Sequence, residues 1–239
     1  MAFQANISEF AEFMGTEIKR IEKKIPEGGA SQSSDSPIIT GNGRPDKPET
    51  TRFLARPQDG MDGYENRVKG NEPNGTFYSS LDGAGVGAYL WQKQRNQWNV
   101  VSGDTGNRIM RSAINIKSGF VYLQRINNLV ICSFTGGAWS SISFYGKNNS
   151  NFKRKTHAKR FDLLRTNGIP YGFRTPLAFM LPFYDDNGNH VGMVYVGGTG
   201  NYNYIELRFK EDVPTEDLDL MRLPVITWVT NEPFPETLP

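Results

Sequence analysis

The residue types suited to saccharide recognition are concentrated in the C-terminal half of the chain, between its apolar segments. Aromatic rings stack on the apolar faces of sugars, and fixed amide or carboxylate groups hydrogen-bond to sugar hydroxyls. The alternative for Trp139 and Tyr184 is packing in the core or between subunits. We predict that the following residues contact a ligand: Trp139, Tyr145, Asn148, Tyr184, Asp185, Asn187, Asn189 and Tyr202.

Residues that perform catalysis are few in this chain. Its two histidines are His157, which we interpret as part of a solvated basic loop, and His190, which closes a predicted turn. A pair of carboxylates about 5–9 Å apart would support glycoside hydrolysis, and Asp104 with Glu206 or Asp185 stays open as such a pair. The acidic turn that begins at Asp185 departs from EF-hand spacing. We therefore predict a protein that is not an enzyme and holds neither a cofactor nor a metal.

The composition excludes several classes of protein. Among 239 residues, 27 Lys and Arg balance 25 Asp and Glu, which gives a net charge of +2. A balanced charge disfavours a nucleic-acid partner, although the basic run 153–165 could contact phosphate, including that of teichoic acid. The longest apolar stretch, 177–181, has five residues, so we expect a soluble chain with neither a signal peptide nor a membrane-inserted segment. The single cysteine, Cys132, excludes a disulfide scaffold and fits a buried strand thiol.

The elements that would position these side chains are short strands. Segments 120–126 and 129–134 flank Asn127-Asn128, and asparagine tolerates the positive φ of a tight hairpin turn. Trp228 lies in an apolar stretch and is predicted to be a core residue. Because no helical pattern intervenes, the series indicates a mainly β fold with a sandwich or jelly-roll-like domain at 109–239. Further strand candidates are 139–145, 177–183, 191–196, 202–209 and 225–229.

The first 27 residues carry a different pattern, a heptad stripe typical of a coiled coil. Isoleucine at both core positions of the later heptads favours three strands over two. We therefore predict a trimeric coiled-coil helix at 1–27, and the alternative is a single amphipathic helix that docks on another protein. The predicted oligomerisation residues, spaced four and three apart, are Ile7, Ala11, Met14, Ile18, Ile21 and Ile25.

Two segments separate this helix from the C-terminal domain. Residues 28–69 are poor in apolar side chains and are predicted to form an extended linker. Residues 70–108 alternate Gly-rich turns with short apolar runs, and we predict a small β module there. Tyr78, Trp91 and Trp98 would form its aromatic core.

Several motifs of this region and of the C-terminus match a known group of proteins. They are Gly-Asn-Gly-Arg-Pro (41–45), Gly-Thr-x-Tyr (75–78), Gly-Ala-x-x-Trp-x-Lys (87–93), Trp-x-Val (98–100), Gly-Asp-Thr-Gly-x-Arg (103–108), Ile-Pro-Tyr-Gly-Phe-Arg-Thr-Pro (169–176) and Thr-Asn-Glu-Pro-Phe-Pro-Glu-Thr-Leu-Pro (230–239). Over residues 40–239 the chain resembles tail or fibre proteins of phages that infect Gram-positive bacteria. The resemblance implies a homotrimeric virion protein that is attached by its N-terminus and directs its C-terminal domain at the host.

The expected function follows from the resemblance and the candidate residues together. We expect a fibre protein, made in the host cytoplasm and carried in the virion, that binds other virion proteins through its N-terminus. Its C-terminal domain is expected to bind a host cell-wall saccharide or teichoic acid. A structural virion component, such as a head fibre, collar or baseplate connector, is the main alternative, and a virion glycan depolymerase is the third.

Overall fold

The computed structural model describes residues 38–47, 68, 71–136, 141–153, 158–198 and 202–239. The predicted helix 1–27 lies outside the described residues, and so does most of the predicted linker 28–69. Trp139 and His157 also lie outside them. The same holds for every predicted oligomerisation residue: Ile7, Ala11, Met14, Ile18, Ile21 and Ile25.

The first sheet, called the module sheet here, has the strand order β1-β2-β3-β4. Its strands are β1 (Ile38–Gly41), β2 (Phe77–Ser80), β3 (Ala88–Gln94) and β4 (Gln97–Gly103). Strand β1 falls within the segment predicted as a linker, and it pairs in parallel with β2. Arg95 and Asn96 join β3 to β4 with φ values of 49° and 61°. Positive φ at both positions is typical of a two-residue hairpin turn, whose twist matches the right-handed twist of the two strands.

An aromatic core lies beneath the module sheet, as the sequence predicts. Tyr78 and Trp91 are buried, and Trp98 packs against them. The Tyr78 and Trp98 rings meet edge to face with their centroids 6.2 Å apart. The Tyr78 hydroxyl donates to the Asn42 carbonyl oxygen at 3.1 Å, so its burial leaves no polar group unsatisfied.

The β7–β8 sheet has the order β15-β8-β7-β5. Its strands are β5 (Arg108–Ile109), β7 (Phe120–Ile126), β8 (Leu129–Thr135) and β15 (Ile226–Val229). The predicted hairpin is confirmed, and Asn127 at its turn has a φ of 54°. Cys132 and Trp228 are buried on the inner side of this sheet, which confirms both predictions.

The β9 sheet is the smallest, with the order β14-β9-β6. It consists of β6 (Ile116–Ser118), β9 (Ile142–Phe144) and β14 (Leu218–Met221). All three residues of β9 are buried, because β6 and β14 pair with its two edges.

The β12–β13 sheet is antiparallel throughout and has the order β10-β13-β12-β11. Its strands are β10 (Arg160–Leu164), β11 (Phe179–Tyr184), β12 (His190–Val196) and β13 (Ile205–Phe209). Strand β10 falls in the basic run 153–165. There Phe161, Leu163 and Leu164 are fully buried, so this part of the run is a core strand whose arginine points outward.

The β7–β8, β9 and β12–β13 sheets share one hydrophobic core, and the mainly β prediction is confirmed for the described residues. Phe161 lies at its centre, 5.5 Å from the Phe144 ring and 5.2 Å from the Phe209 ring. No helix in the described part of the chain is both long and apolar enough to cross a bilayer.

Candidate functional site

Four of the predicted ligand-binding residues come together in the turn between β11 and β12. Asp185 organises this turn, because its Oδ1 accepts the backbone N–H groups of Asn187 at 3.0 Å and Asn189 at 2.8 Å. Its Oδ2 accepts the Asn189 side-chain amide at 2.8 Å. Gly188 takes a φ of +82°, which favours glycine. The turn is thus fixed by its own side chains before any ligand arrives.

Tyr184 begins this turn and is 40% exposed, which argues against the core alternative for this residue. Its ring lies 5.7 Å from the His190 ring. Arg222 pairs with its backbone and forms an ion pair with Asp186, so the turn is tied to the end of β14. Tyr184 therefore presents an aromatic surface at the end of β11, where Arg222 holds the backbone in place.

The hydrogen bonds inside the turn predict how it responds to acid. The Asn189 side chain and then the Asn189 backbone lower the pKa of Asp185 below its ordinary 3.8. A lowered carboxyl pKa adds stability above the unfolded pKa, and this contribution is lost as the pH falls through the folded pKa. We expect the Asn187 and Asn189 amide resonances in an NMR titration to move together below pH 3.8, and this common movement to be lost in Asp185→Asn, whose side-chain amide does not titrate. Titration of Asp185 at or above 3.8 would contradict this account.

The other predicted residues lie elsewhere. Tyr145 and Asn148 belong to the loop after β9, where the Asp217 carboxylate accepts the backbone N–H of Gly146 at 2.9 Å. Tyr202, 66% exposed, lies in the loop between β12 and β13, at the opposite end of β12 from the turn. A seven-residue strand spans about 20 Å, so the seven predicted residues that the structure describes do not form one pocket.

The β11–β12 turn and the loop that contains Tyr202 nevertheless lie at the two ends of one sheet, the β12–β13 sheet. Its outer face between them carries side chains that the sequence prediction missed. In one cross-strand row Asp162 pairs with Glu206, Glu206 with Tyr195, and Tyr195 with Met180. In the next row Arg160 pairs with Arg208, and Arg208 with Met193. We call these seven residues the outer cluster.

Arg208 is the centre of the outer cluster. Its guanidinium carbon lies 3.9 Å from the centroid of the Tyr195 ring, and its Nε donates to Glu206 Oε1 at 2.8 Å. The Tyr195 ring in turn lies 5.4 Å from the Tyr204 ring. Planar stacking together with a charge-assisted hydrogen bond fixes the guanidinium in one orientation.

Glu206 is buried although it lies on the outer side of the sheet, with 2% of its side chain exposed. Arg160 Nη1 lies 4.0 Å from the same carboxylate oxygen that accepts from Arg208. The outer cluster contains two arginines, Arg160 and Arg208, and two carboxylates, Asp162 and Glu206, so its formal charges cancel. A charge-neutral, aromatic and hydrogen-bonding surface suits a polyhydroxy ligand better than a simple anion.

The structure does not bring together the carboxylate pairs that the sequence left open for hydrolysis. Asp104 follows β4, forms a bridge with Ile126 of the β7–β8 sheet, and accepts from Gln124. Glu206 lies on the β12–β13 sheet, and Asp185 is engaged in its own turn.

A concave feature lies apart from the outer cluster. It is a cleft of about 310 Å³ lined by Pro170, Tyr171, Glu236, Thr237, Leu238 and Pro239. Glu236 forms an ion pair with Lys47 at 2.9 Å, and Tyr171 is 54% exposed beneath the Arg174 guanidinium. The cleft is the alternative candidate for a binding site, and a binding experiment must distinguish it from the outer cluster.

The signal that could have revealed the outer cluster is strand periodicity. Tyr195 stands between Val194 and Val196, and Glu206 and Arg208 alternate with buried Leu207 and Phe209. Alternation of polar and apolar residues places polar side chains on the outer face of a sheet. Comparison of the chain with known proteins finds no matching family model, no matching curated protein and no matching solved structure.

Proposed function

We propose that this chain is a homotrimeric phage virion fibre protein whose C-terminal domain binds a glycopolymer on the host cell surface. The sequence motifs of residues 40–239 support the virion assignment, and the heptad stripe of residues 1–27 supports trimerisation and attachment to other virion proteins. Within the C-terminal domain, a sandwich of the sheets around the common core, we assign binding to the outer face of the β12–β13 sheet.

The Tyr195–Arg208–Glu206 arrangement is the observation that carries this assignment. A sugar ring laid beside the half-buried Tyr195 ring would bury its apolar face, and the Arg208 guanidinium, fixed by the buried Glu206 carboxylate, would meet its hydroxyls. Both groups are oriented before binding, so little conformational entropy is lost when the ligand arrives. Tyr184 and Tyr202, both exposed, lie at the two ends of the same sheet, a separation suited to a polymer.

The expected affinity of one such surface is low. Shallow sites for single sugars bind with dissociation constants of about 0.1–1 mM, equivalent to about 4–5.5 kcal/mol. Three linked copies convert the second and third contacts into intramolecular events and raise the overall affinity by about 10²–10⁴. A trimeric fibre would thus hold a repetitive polymer that a single domain releases.

Binding to purified polymers tests this function directly. The full chain is passed over immobilised wall teichoic acids and cell-wall polysaccharides from a panel of Gram-positive bacteria, with biolayer interferometry as the readout. We expect saturable binding to at least one polymer and no release of reducing ends from it. Binding to purified virion proteins with none to any polymer would favour the structural component, and release of reducing ends would favour the depolymerase.

A further inference from the structure

The charged groups of the outer cluster are not equally exposed, although their formal charges cancel. The side chains of Arg160 and Arg208 are 41% and 25% exposed, whereas that of Glu206 is 2% exposed. One carboxylate oxygen of Asp162 is also buried. A ligand on the outer face of the β12–β13 sheet therefore meets both guanidinium groups while the Glu206 carboxylate is out of its reach, so the exposed charge of the cluster is positive.

The two arginines lie side by side. Arg160 and Arg208 are direct partners in the register of β10 and β13, and such partners have Cβ atoms about 5 Å apart. The Glu206 Oε1 atom lies 2.8 Å from Arg208 Nε and 4.0 Å from Arg160 Nη1. A single buried carboxylate oxygen thus holds both guanidinium groups near one point of the sheet.

Most of the donors of these two groups are left for a ligand. A guanidinium has five N–H donors, and Glu206 accepts from Arg208 through Nε. Arg208 Nη1 lies 3.6 Å from the Met180 sulfur, a weak acceptor, and Nη2 donates to no residue that the structure describes. The Arg160 guanidinium has no hydrogen-bond partner among the described residues, since 4.0 Å is an ion-pair distance. Adjacent guanidinium groups with unused donors are suited to carboxylate or phosphate oxygens.

We propose that Arg160 and Arg208 bind an oxyanion of the host glycopolymer, so that the outer cluster recognises anionic polymers in preference to neutral ones. The inference rests on the proposed function and names the class of polymer. A phosphodiester of the polymer or the carboxylate of an acidic sugar would supply the oxyanion, and both match the planar donors of arginine. The Tyr195 ring beside Arg208 would contact the carbon atoms of the adjoining sugar or polyol, a contact that an isolated anion lacks.

Protection of arginine from phenylglyoxal, a reagent that modifies its side chain, tests the site in the full-length chain. The charged probes are glycerol 3-phosphate and glucuronic acid, and glycerol and glucose are their uncharged controls. Each is used at about 20 mM, because single contacts of this kind bind in the millimolar range. We expect one or both charged probes to slow modification of Arg160 at least about threefold, as read by mass spectrometry of peptides. The uncharged probes should change nothing, and the exposed Arg111 should react at the same rate throughout.

Polymer binding by two variants tests the same site without a chemical reagent. Arg160→Gln and Arg111→Gln remove the same charge, and Arg208 keeps Glu206 paired in R160Q. The immobilised polymers are a wall teichoic acid, a polymer that carries uronic acids and a neutral cell-wall polysaccharide. We expect R160Q to raise the dissociation constant for the anionic polymer at least about fivefold and R111Q to change it less than about twofold. Circular dichroism of both variants should match the wild type.

Modification of Arg160 at the same rate with and without both charged probes would overturn the inference. Equal binding of neutral and anionic polymers by the wild type would also overturn it. Protection of Arg160 in a chain that binds no polymer would keep the oxyanion site and reject the binding function. Saturable polymer binding that R160Q leaves unchanged would keep the function and reject the site.

Discussion

Replacing Arg125 by methionine is expected to lower the free energy of unfolding by about 3–5 kcal/mol. Arg125 is 5% exposed, and its guanidinium donates to the carbonyl oxygens of Asn127, Gly172, Glu232 and Pro233. Burial lowers its pKa to about 10, which still leaves it charged at neutral pH. Methionine fills much of the same space but leaves these carbonyl groups without their donor, which is the costly half of a buried hydrogen bond.

The position of Arg125 explains why the loss would spread beyond one contact. The loop 169–176 and the C-terminal segment 230–239 meet at this residue, and the Glu232 carboxylate accepts the Gly172 N–H at 2.6 Å. Phe234 follows in the same segment, 5.1 Å from the Arg125 guanidinium, and packs into the aromatic core beneath the module sheet. Arg125 thus joins the chain end to two hydrophobic cores.

Urea denaturation monitored by tryptophan fluorescence checks this expectation. Arg125→Lys keeps the charge with fewer donors and should fall between the wild type and R125M. Arg111→Met removes an arginine from an exposed position and should change stability by no more than about 0.5 kcal/mol. If R125M and R111M unfolded at the same denaturant concentration, the role assigned to Arg125 would be wrong.

Removal of the Tyr195 ring is expected to weaken glycopolymer binding strongly. An aromatic contact at the centre of a binding surface contributes about 1–2 kcal/mol, so Tyr195→Ala should raise the dissociation constant of one site about 5- to 30-fold. Because three linked sites multiply their individual losses, avid binding by the assembled chain should fall by about 10² or more. The substitution also frees the Arg208 guanidinium from the ring on which it lies.

Tyr195→Phe is the matched control because it keeps the ring and its contact with Arg208. Biolayer interferometry should give Y195F a dissociation constant within about threefold of the wild type, since a partly exposed hydroxyl contributes little. Both variants should unfold within about 1 kcal/mol of the wild type, because the side chain faces outward. Unchanged binding by Y195A would remove the outer cluster from the account.

Local patterns in the sequence predict the fold correctly where neighbouring residues determine the structure. The β7–β8 hairpin follows from two apolar runs around Asn127-Asn128, and the burial of Cys132 and Trp228 follows from their apolar surroundings. The aromatic core at Tyr78 and Trp91 follows from large rings among small residues. Trp228 is predicted from its apolar neighbours alone, since its strand pairs with the distant β8, and in the other cases the strand and its partner lie close together in the chain.

Pairings between distant segments could not be predicted in this way. Strand β1 pairs with β2 across a long stretch of intervening chain, and its four residues give no pattern of their own. The outer cluster requires β10 beside β13, and the apolar alternation of β10 is obscured by the basic residues around it. The predicted binding residues are mostly loop residues, and loops at opposite ends of one sheet do not meet. The face between those loops depends on strand order, which local sequence does not determine.

Hydroxyl-radical footprinting with and without bound polymer shows which surface of the domain the polymer covers. Met180 and Met193 are natural oxidation probes within the outer cluster, and Tyr195 lies beside Met180 in the same row. We predict that saturating polymer slows oxidation of Met180, Met193 and Tyr195 at least about threefold and leaves oxidation of Tyr171 in the separate cleft unchanged. Unchanged oxidation of the outer cluster together with protection of Tyr171 would place the ligand in the cleft and contradict the account.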